Sequence, residues 1–263
     1  MTNIVVLIKQ VPDTWSERKL SDGDFTLDRD AADAVLDEIN ERAVEEALLI
    51  REKEGAEGTV TVLTAGPERA TEAIRKALSM GADKAVHLLD DGMKGSDLVQ
   101  TGWALARALG AIEGTELVIA GNESTDGTGG AVPAVIAEYL GLPQLTHLRK
   151  LTVEDGKITG ERETDEGVFT LEAPLPAVVS VNEKINEPRF PSFKGIMAAK
   201  KKEVTVLTLA DIGVEPDEVG VANAGCKVTA STPKPPKSAG EKITDDGDGG
   251  TKIAEYLVGQ KII

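Results

Sequence analysis

The first half of the chain alternates short apolar runs with stretches of helical periodicity. Four apolar runs predict buried strands, and they span residues 4–8, 59–64, 84–89 and 117–120. Between them, apolar residues spaced three and four apart predict helices, which glycines or capping residues delimit. Because strands and helices alternate at short spacing, the first ~145 residues predict an α/β fold, a doubly wound and mainly parallel sheet with helices on both faces.

The hydrophobic pattern changes in the middle of the chain. Short runs at 148–153, 157–163 and 167–172 predict strands, and Glu-Asp-Gly at 154–156 predicts a tight turn between the first two. We interpret the region of about 146–175 as a β-hairpin insertion or an extension of the sheet edge.

Two later runs, 177–181 and 204–209, are apolar enough to rejoin the main sheet. We therefore assign one α/β domain to residues 1–212. Periodicity fades in residues 213–263, which we expect to form an extended C-terminal arm. Its segment 231–248 has the Pro, Gly and charged composition of a linker, and 251–263 predicts a small apolar helix. That helix either docks on a partner subunit or folds back on its own domain.

Net charge and composition argue against several classes of binding partner. The chain has 263 residues, with 29 Lys and Arg against 45 Asp and Glu, which gives a net charge of −16. Nucleic acid and anionic membranes need a basic surface, so neither is expected as a partner. One cysteine excludes an internal disulfide, and with only two histidines we expect no metal cluster. No signal peptide and no apolar run of spanning length are found, which predicts a cytoplasmic protein.

The segment 121–130, Gly-Asn-Glu-Ser-Thr-Asp-Gly-Thr-Gly-Gly, is the most informative loop. It follows a predicted strand and precedes a predicted helix at 131–140. Glycines let the backbone approach an anion, and N–H groups at a helix start point toward it, so the loop predicts phosphate binding. It matches neither the Walker pattern nor G-x-G-x-x-G. A plain tight turn explains such a loop equally well.

The position of this loop in the sheet strengthens the nucleotide interpretation. Ligands of open α/β sheets bind beyond the carboxyl ends of the strands. Three predicted loops leave those ends, at 9–14, 65–67 and 121–130. We expect them to converge on one crevice.

Catalytic side chains are not evident. Asp13, Glu123 and Asp126 could act as an acid, a base or magnesium ligands, but we expect them to cap helices or bind ribose hydroxyls. His87 lies in a predicted strand and is expected to be structural. With no convincing nucleophile, any chemistry is expected from a bound cofactor, so the chain is not predicted to be an enzyme by itself.

Three stretches together resemble the β subunit of the electron transfer flavoproteins, in order along nearly the whole chain. The first is 6–13; the second is 43–47 with 64–67 and 77–83; the third runs from 175–179 through Asn-Glu-Pro-Arg at 186–189 to 196–202. The third stretch is the most specific, because such a run has no general structural explanation.

The resemblance implies a heterodimer with a larger α subunit, which holds most of the redox FAD. In this family the β subunit has an adenine-nucleotide-binding fold and buries an AMP, or the adenine part of a second FAD in electron-bifurcating members. The pair takes electrons from dehydrogenases, such as acyl-CoA dehydrogenases of fatty acid oxidation, and passes them to a membrane quinone oxidoreductase.

The predicted crevice and the resemblance together give a set of cofactor-binding positions. They are Leu7, Lys9, Thr14, Asp37, Glu38, Ile39, Asn40, Ala65, Gly66, Gly121, Asn122, Glu123, Ser124, Thr125, Asp126, Gly127, Thr128, Gly129, Gly130, Ala131 and Val132. Thr14 matches a position near the flavin ring. Many members have Gln, then Thr or Val, then Gly where this chain has Ala131-Val132-Pro133, so AMP and a second FAD both stay open. Phe169 stands where the family signature usually has Glu or Gln.

The resemblance also implies a partner-recognition loop, in which Phe193 occupies the position of the apolar anchor. Its residues are Arg189, Phe190, Pro191, Ser192, Phe193, Lys194, Gly195, Ile196, Met197 and Ala198. We expect Phe190 to pack inward and Phe193 to project.

Two other functions remain as alternatives to a redox carrier subunit. One is a stand-alone ATP-binding stress-type protein of the same fold. The other is a structural interaction subunit with a vestigial site. A compact nucleotide-binding protein needs no hairpins, no partner-recognition loop and no long C-terminal arm. These features therefore argue against the stand-alone protein.

Overall fold

The computed structural model describes residues 2–55, 57–232, 234–237, 240 and 242–263. The chain forms two units, divided between Thr229 and Ala230. Four residues of the linker-like segment, at positions 233, 238, 239 and 241, lie outside the described residues.

A single nine-stranded sheet organises the first unit. Its strands are β1 (Ile4–Leu7), β4 (Val60–Ala65), β5 (Lys84–Leu88), β6 (Leu117–Gly121), β7 (Gln144–Glu154), β8 (Lys157–Thr164), β9 (Gly167–Pro174), β10 (Ala177–Val181) and β11 (Val204–Leu207). They lie in the order β11-β5-β4-β1-β6-β10-β7-β8-β9. All neighbouring pairs from β11 to β7 are parallel, and β7-β8-β9 are antiparallel. The predicted α/β class with a mainly parallel sheet is confirmed.

The hairpins extend this sheet rather than forming a separate layer. β7 pairs with β10 in parallel, and β8 and β9 continue outward from it. The turn at Asp155 and Gly156 joins β7 to β8 with positive φ angles of 51° and 72°. The two runs predicted to rejoin the sheet do so, β10 beside β6 and β11 beside β5.

The described residues of the first unit form five α-helices. They are α1 (Glu38–Lys53), α2 (Thr71–Met80), α3 (Leu98–Gly110), α4 (Val132–Leu140) and α5 (Phe193–Ala199). Side-chain caps mark the starts of three of them, α1, α3 and α5. Asp37 caps α1 by accepting from the Ile39 N–H. Asp97 and Gln100 form a reciprocal capping box at the start of α3.

Helices cover both faces of the sheet, as the alternation of side chains requires. On one face, Val6, Val62 and Ile119 pack with α1 and α2. On the other, residues of the same strands, such as Val5 and Val118, pack with α3 and α4. Parallel strands are thus buried on both sides, which explains their nearly continuous apolar sequences.

Three local features complete the first unit. A small antiparallel pair, β2 (Gln10–Pro12) and β3 (Ala34–Leu36), brackets residues 13–30, which we call the polar excursion. Pro67 precedes a single 3₁₀ turn, Glu68–Ala70, which leads into α2. Asp13 to Asp30 has no helix, and its one β-bridge joins Leu20 to Leu27.

The second unit contains one helix, α6 (Gly249–Gly259), among its described residues. Asp245 accepts hydrogen bonds from the backbone N–H groups of Gly247 and Gly249 just before it. Across the described part of the chain, no helix is both long and apolar enough to cross a membrane. The limits of the domain at 212 and of the arm at 213 remain predictions.

Candidate functional site

A cleft opens at the carboxyl ends of β1, β4 and β6, where the chain switches from one side of β1 to the other. Its volume is about 370 Å³, which falls within the range of small-molecule pockets. All three loops expected to converge contribute: Lys9, Ala65 and the segment beginning at Gly121 line it. The topological switch point of an open sheet is where ligands of this class of fold bind.

The floor of the cleft is apolar. It is formed by the ends of two strands and by one face of α3, and its main residues are Leu7, Leu63, Ala65, Leu98 and Leu105. Such a floor suits a flat ring, because aromatic rings bury a large apolar area. Polar groups from Asn40, Asn122 and Thr101 also line the cleft.

Asp37 fixes the start of the phosphate-type loop. One oxygen of its fully buried carboxylate caps α1, and the other accepts from the Thr125 N–H at 2.7 Å and the Thr125 hydroxyl at 3.0 Å. The loop then turns back on itself through a hydrogen bond from the Thr128 N–H to the Ser124 carbonyl. The beginning of α1 therefore determines where the loop lies.

Asp126 anchors the same loop from the other side. Its carboxylate, with no exposed surface, accepts from Lys9 Nζ at 2.8 Å and from Arg29 Nη2 at 2.8 Å. Burial by itself raises the pKa of this carboxyl group. The charge of Lys9 and hydrogen bonds from Lys9, Arg29 and Ser124 outweigh that effect, so the pKa falls from 3.8 to about 2. Asp126 is thus ionised at neutral pH and acts as a structural anchor rather than as an acid.

Packing explains one glycine of this loop, and backbone conformation explains another. A Cβ on Gly121 would lie 2.6 Å from the Asn40 side-chain nitrogen, so a glycine lets the end of β6 approach the start of α1 closely. Gly130 has a φ of 66°, a left-handed conformation that favours glycine. It leads into α4, whose N-cap residue, Ala131, provides no side-chain oxygen to the first N–H groups.

One buried polar atom at the cleft lacks a partner in the protein. The side-chain oxygen of Asn122 is buried and has no hydrogen bond from any residue that the structure describes. A buried acceptor left in this state is costly, and a ligand hydroxyl or amine in the cleft would satisfy it. Together with the apolar floor and the glycine loop, this atom fits an adenine nucleotide.

Most, but not all, of the predicted cofactor positions line the cleft. Those that do are Leu7, Lys9, Asn40, Ala65, Gly121, Asn122, Glu123, Ser124, Gly127, Gly129, Gly130 and Val132. Those that do not are Thr14, Asp37, Glu38, Ile39, Gly66, Thr125, Asp126, Thr128 and Ala131. Asp37, Thr125 and Asp126 instead hold the loop in place, and the Gly66 carbonyl lies 2.9 Å from His87 Nε2.

The start of α3 is the part of the cleft wall that the sequence interpretation missed. The missed residues are Ile8, Leu63, Ser96, Asp97, Leu98, Thr101, Leu105, Ala120 and Pro133. The sequence Ser96-Asp97 is of the type that caps a helix start. Because that helix follows a strand, its first turn had to face the carboxyl edge, and this signal would have added it to the crevice.

Comparisons with known proteins decide the family. A family model described as "Electron transfer flavoprotein domain" matches residues 24–212. The "Electron transfer flavoprotein subunit beta" of Mycobacterium tuberculosis (strain H37Rv) is 86% identical over 266 residues, covering 100% of both chains. The chain belongs to the electron transfer flavoprotein family. The protein of the same description from Mycobacterium leprae is also 86% identical, with 100% of both chains covered.

A more distant relative shows how far the similarity extends. The "Caffeyl-CoA reductase-Etf complex subunit CarD" of Acetobacterium woodii is 35% identical over 242 residues, 92% of this chain and 91% of its own. The β-subunit resemblance in the three sequence stretches is therefore confirmed, and members of this family are electron carriers.

The segment that resembles the family's recognition loop lies on the surface, at and before α5. Phe193 is 80% exposed, so the prediction that it projects is confirmed. Phe190 is 93% exposed, so the prediction that it packs inward is wrong. The hydrogen bonds of Arg189 to Glu45 and Glu52 hold the chain on α1 up to residue 189, and Phe190 beyond it extends into solvent.

Proposed function

We propose that the chain is the β subunit of a heterodimeric electron transfer flavoprotein, paired with a larger α subunit that holds most of the redox FAD. The pair accepts electrons from dehydrogenases, such as acyl-CoA dehydrogenases, and passes them to a membrane quinone oxidoreductase. The chain is a cytoplasmic carrier subunit and not an enzyme, since bound FAD supplies the redox chemistry. Membership in the family and the subunit names of its relatives support this proposal.

The cleft at the carboxyl ends of the strands carries the proposal. We infer that it binds an adenine nucleotide, either AMP or the adenine part of a second FAD. The apolar floor between Leu7 and Leu105 takes the adenine ring, and Asn122 accepts a hydrogen bond from the base or the ribose. The glycine loop and the first N–H groups of α4 face the phosphate.

The charges behind the loop favour the same orientation. Lys9 and Arg29 place two positive charges on one carboxylate, Asp126, and Arg18 Nη1 donates to the Thr125 carbonyl at 2.7 Å. Because Lys9 lines the cleft and its side chain is 40% exposed, its ammonium can also contact a phosphate anion at the loop.

The exposed segment around α5 is proposed as the surface that docks on dehydrogenases. Phe190 and Phe193 are half of the four phenylalanines in the chain, and both lie on the surface. Ile196 and Met197 add further exposed apolar area on α5. Exposed aromatic and apolar residues that cluster in this way are typical anchors of interfaces.

The C-terminal helix is proposed to dock on the α subunit. α6 places Ile253, Tyr256 and Leu257 at helical spacing after a segment of linker composition. A short helix with an apolar face gains stability mainly from packing against another surface.

Purification with the natural α subunit tests the proposal. The expected heterodimer is yellow, and denaturation releases one FAD with one AMP, or two FAD. ATP without flavin would instead indicate the stand-alone ATP-binding protein. A preparation that releases no nucleotide and has no flavin spectrum would indicate a structural subunit with a vestigial site.

A further inference from the structure

The segment 190–199 is exposed, yet it is held firmly at both ends. We call it the projecting segment. Its two aromatic rings face solvent, with Phe190 93% and Phe193 80% exposed. An apolar surface of this kind in a mobile loop would lose conformational entropy on binding. The contacts at its two ends therefore bear directly on how well it can dock.

The first attachment is Arg189, which binds two carboxylates on α1. Its Nε and Nη2 donate to the two oxygens of Glu45 at 2.7 and 3.0 Å. Its Nη1 and Nη2 donate to the two oxygens of Glu52 at 2.5 and 3.1 Å. The Arg189 backbone N–H also donates to Glu45, at 3.1 Å. The planar guanidinium thus fixes both the side chain and the backbone where the projecting segment begins.

Residues just before Arg189 are hydrogen-bonded to the same helix, α1. Asn186 donates from Nδ2 to Glu46 at 2.9 Å and to the Arg42 carbonyl at 3.1 Å. Arg42 donates in return to the Asn186 carbonyl. Successive turns of α1 therefore hold the chain from Asn186 to Arg189, so Arg189 is the last fixed point before the exposed rings.

The second attachment lies on α2. A Cβ on Gly195 would overlap the Ser79 carbonyl oxygen, so the backbones of α5 and α2 are in close contact. The Ser192 hydroxyl caps α5 by accepting from the Gly195 N–H at 3.0 Å. Beyond α5, Lys202 Nζ donates to the carbonyls of Leu78 and Ala82 at the end of α2.

We propose that Arg189 is a positioning residue that presets the aromatic surface of the projecting segment for docking, without itself being an anchor. This inference rests on the proposed docking of the segment on dehydrogenases. A forked, planar cation makes paired hydrogen bonds to each carboxylate and so fixes the orientation of the chain; a lysine keeps the charge but lacks the fork. Arg189→Lys therefore isolates geometry from charge.

The test compares Arg189→Lys with Arg149→Lys in the heterodimer. Arg149 is a matched control, because its side chain is 32% exposed against 33% for Arg189 and it also contacts two carboxylates, those of Glu161 and Glu163. We expect faster hydrogen–deuterium exchange confined to 186–199 in Arg189→Lys alone. With an acyl-CoA dehydrogenase as electron donor, the KM for the heterodimer should rise about three- to tenfold, with kcat and flavin content unchanged.

Two further variants make the outcome decisive. Glu52→Gln removes the Arg189 contact with Glu52 and leaves the contact with the buried Glu45. This variant covers the case in which Arg189→Lys does not fold. Its hydrogen–deuterium exchange and KM should rise in the same way but by less. Phe193→Ala should raise the KM with no change in exchange. If Phe193→Ala raises the KM but Arg189→Lys and Glu52→Gln do not, the positioning role is wrong. If Phe193→Ala leaves the KM unchanged, the proposed docking surface itself is wrong.

Discussion

At the residue scale, Asp126 connects parts of the chain that are far apart in sequence. Lys9 follows β1, Arg29 belongs to the polar excursion, and both meet the Asp126 carboxylate in the loop after β6. A buried carboxylate with two charge-assisted partners is stabilising only while both partners and the charge are present. Its low pKa of about 2 is the measurable consequence.

Replacement of Asp126 by asparagine should lower the free energy of unfolding at neutral pH by about 2 kcal/mol, because a pKa shift from 3.8 to about 2 stabilises the charged form by that amount. A depressed pKa contributes stability above the unfolded value, so the difference from wild type should persist down to about pH 4 and shrink below it. Urea unfolding as a function of pH measures this.

The matched control is Glu154→Gln, which removes an exposed carboxylate paired with Lys53. Surface pairs contribute little, so its stability should hardly change. An Asp126→Asn variant as stable as this control at neutral pH would show that the Lys9 and Arg29 contacts do not anchor the loop.

The composition of this loop could be predicted from sequence, but its anchors could not. Glycines and hydroxyl residues between a strand and a helix indicate a phosphate loop by local pattern alone. The hydrogen bonds from Thr125 to Asp37 join residues 88 positions apart. No local pattern specifies such a pair, so Asp37, Thr125 and Asp126 were predicted as cofactor-binding positions, whereas they do not line the cleft and instead hold the loop in place.

At the element scale, α1 carries two adjacent glutamates in opposite electrostatic environments. Glu45 is buried and bound by the Arg189 guanidinium. Glu46 is buried beside it, and the Asn186 amide is its only side-chain donor among the residues that the structure describes. Burial, which outweighs that hydrogen bond, raises the pKa of Glu46, with a smaller contribution from the Glu45 charge.

Glu46→Gln should therefore stabilise the protein at neutral pH. A raised pKa means that the folded state disfavours the charged form of Glu46, so removal of the charge raises the free energy of unfolding. This gain in stability should vanish as the pH falls below the unfolded pKa of glutamate, where the wild-type side chain is protonated as well. The glutamine amide can also donate to the buried Asn186 Oδ1, which has no partner among the described residues.

The neighbouring substitution Glu45→Gln is the natural comparison. It should destabilise at neutral pH, because it leaves the Arg189 guanidinium without the more buried of its two carboxylates. Thermal unfolding of the two variants side by side should give shifts of opposite sign. Shifts of the same sign would mean that the Arg189 contacts do not distinguish the two positions.

The hydrophobic periodicity of the sequence predicted the longer strands and helices, whereas it missed the shortest strands. The main strands and α4 appear within a few residues of their predicted bounds. β2 and β3 have three residues each, so they are too short to show a hydrophobic periodicity. Phe190 was expected to pack inward, but it is exposed, because the burial of a side chain depends on neighbours distant in sequence that no local pattern specifies.

At the scale of the whole molecule, the order of the strands in the sheet determines where the cleft forms. Successive strands run outward from β1 through β4 to β5, and the chain then crosses to β6 on the other side of β1. Alternating strands and helices were enough to predict the parallel sheet and a crevice at its carboxyl edge. The order itself was not predictable, because sequence alternation does not say on which side of β1 each strand adds.

The isolated chain should not bind FAD tightly. Its cleft of about 370 Å³ offers room for a nucleotide moiety, and its loop lacks the G-x-G-x-x-G arrangement that binds a dinucleotide pyrophosphate. After gel filtration of the chain produced alone, the absorption spectrum should show no stoichiometric flavin. A one-to-one flavin complex would refute the division of roles between the two subunits.

Nucleotide retention in a Gly129→Val heterodimer tests the cleft most directly. A Cβ at Gly129 would lie 3.1 Å from Leu98 Cδ1, inside the cleft, whereas one at Gly110 meets nothing within 4 Å. Gly129→Val should therefore lose most of the AMP or FAD that denaturation releases from wild type, while the Gly110→Val control retains it. Both should keep the folded circular dichroism spectrum. Undiminished nucleotide in Gly129→Val would show that the adenine nucleotide binds elsewhere.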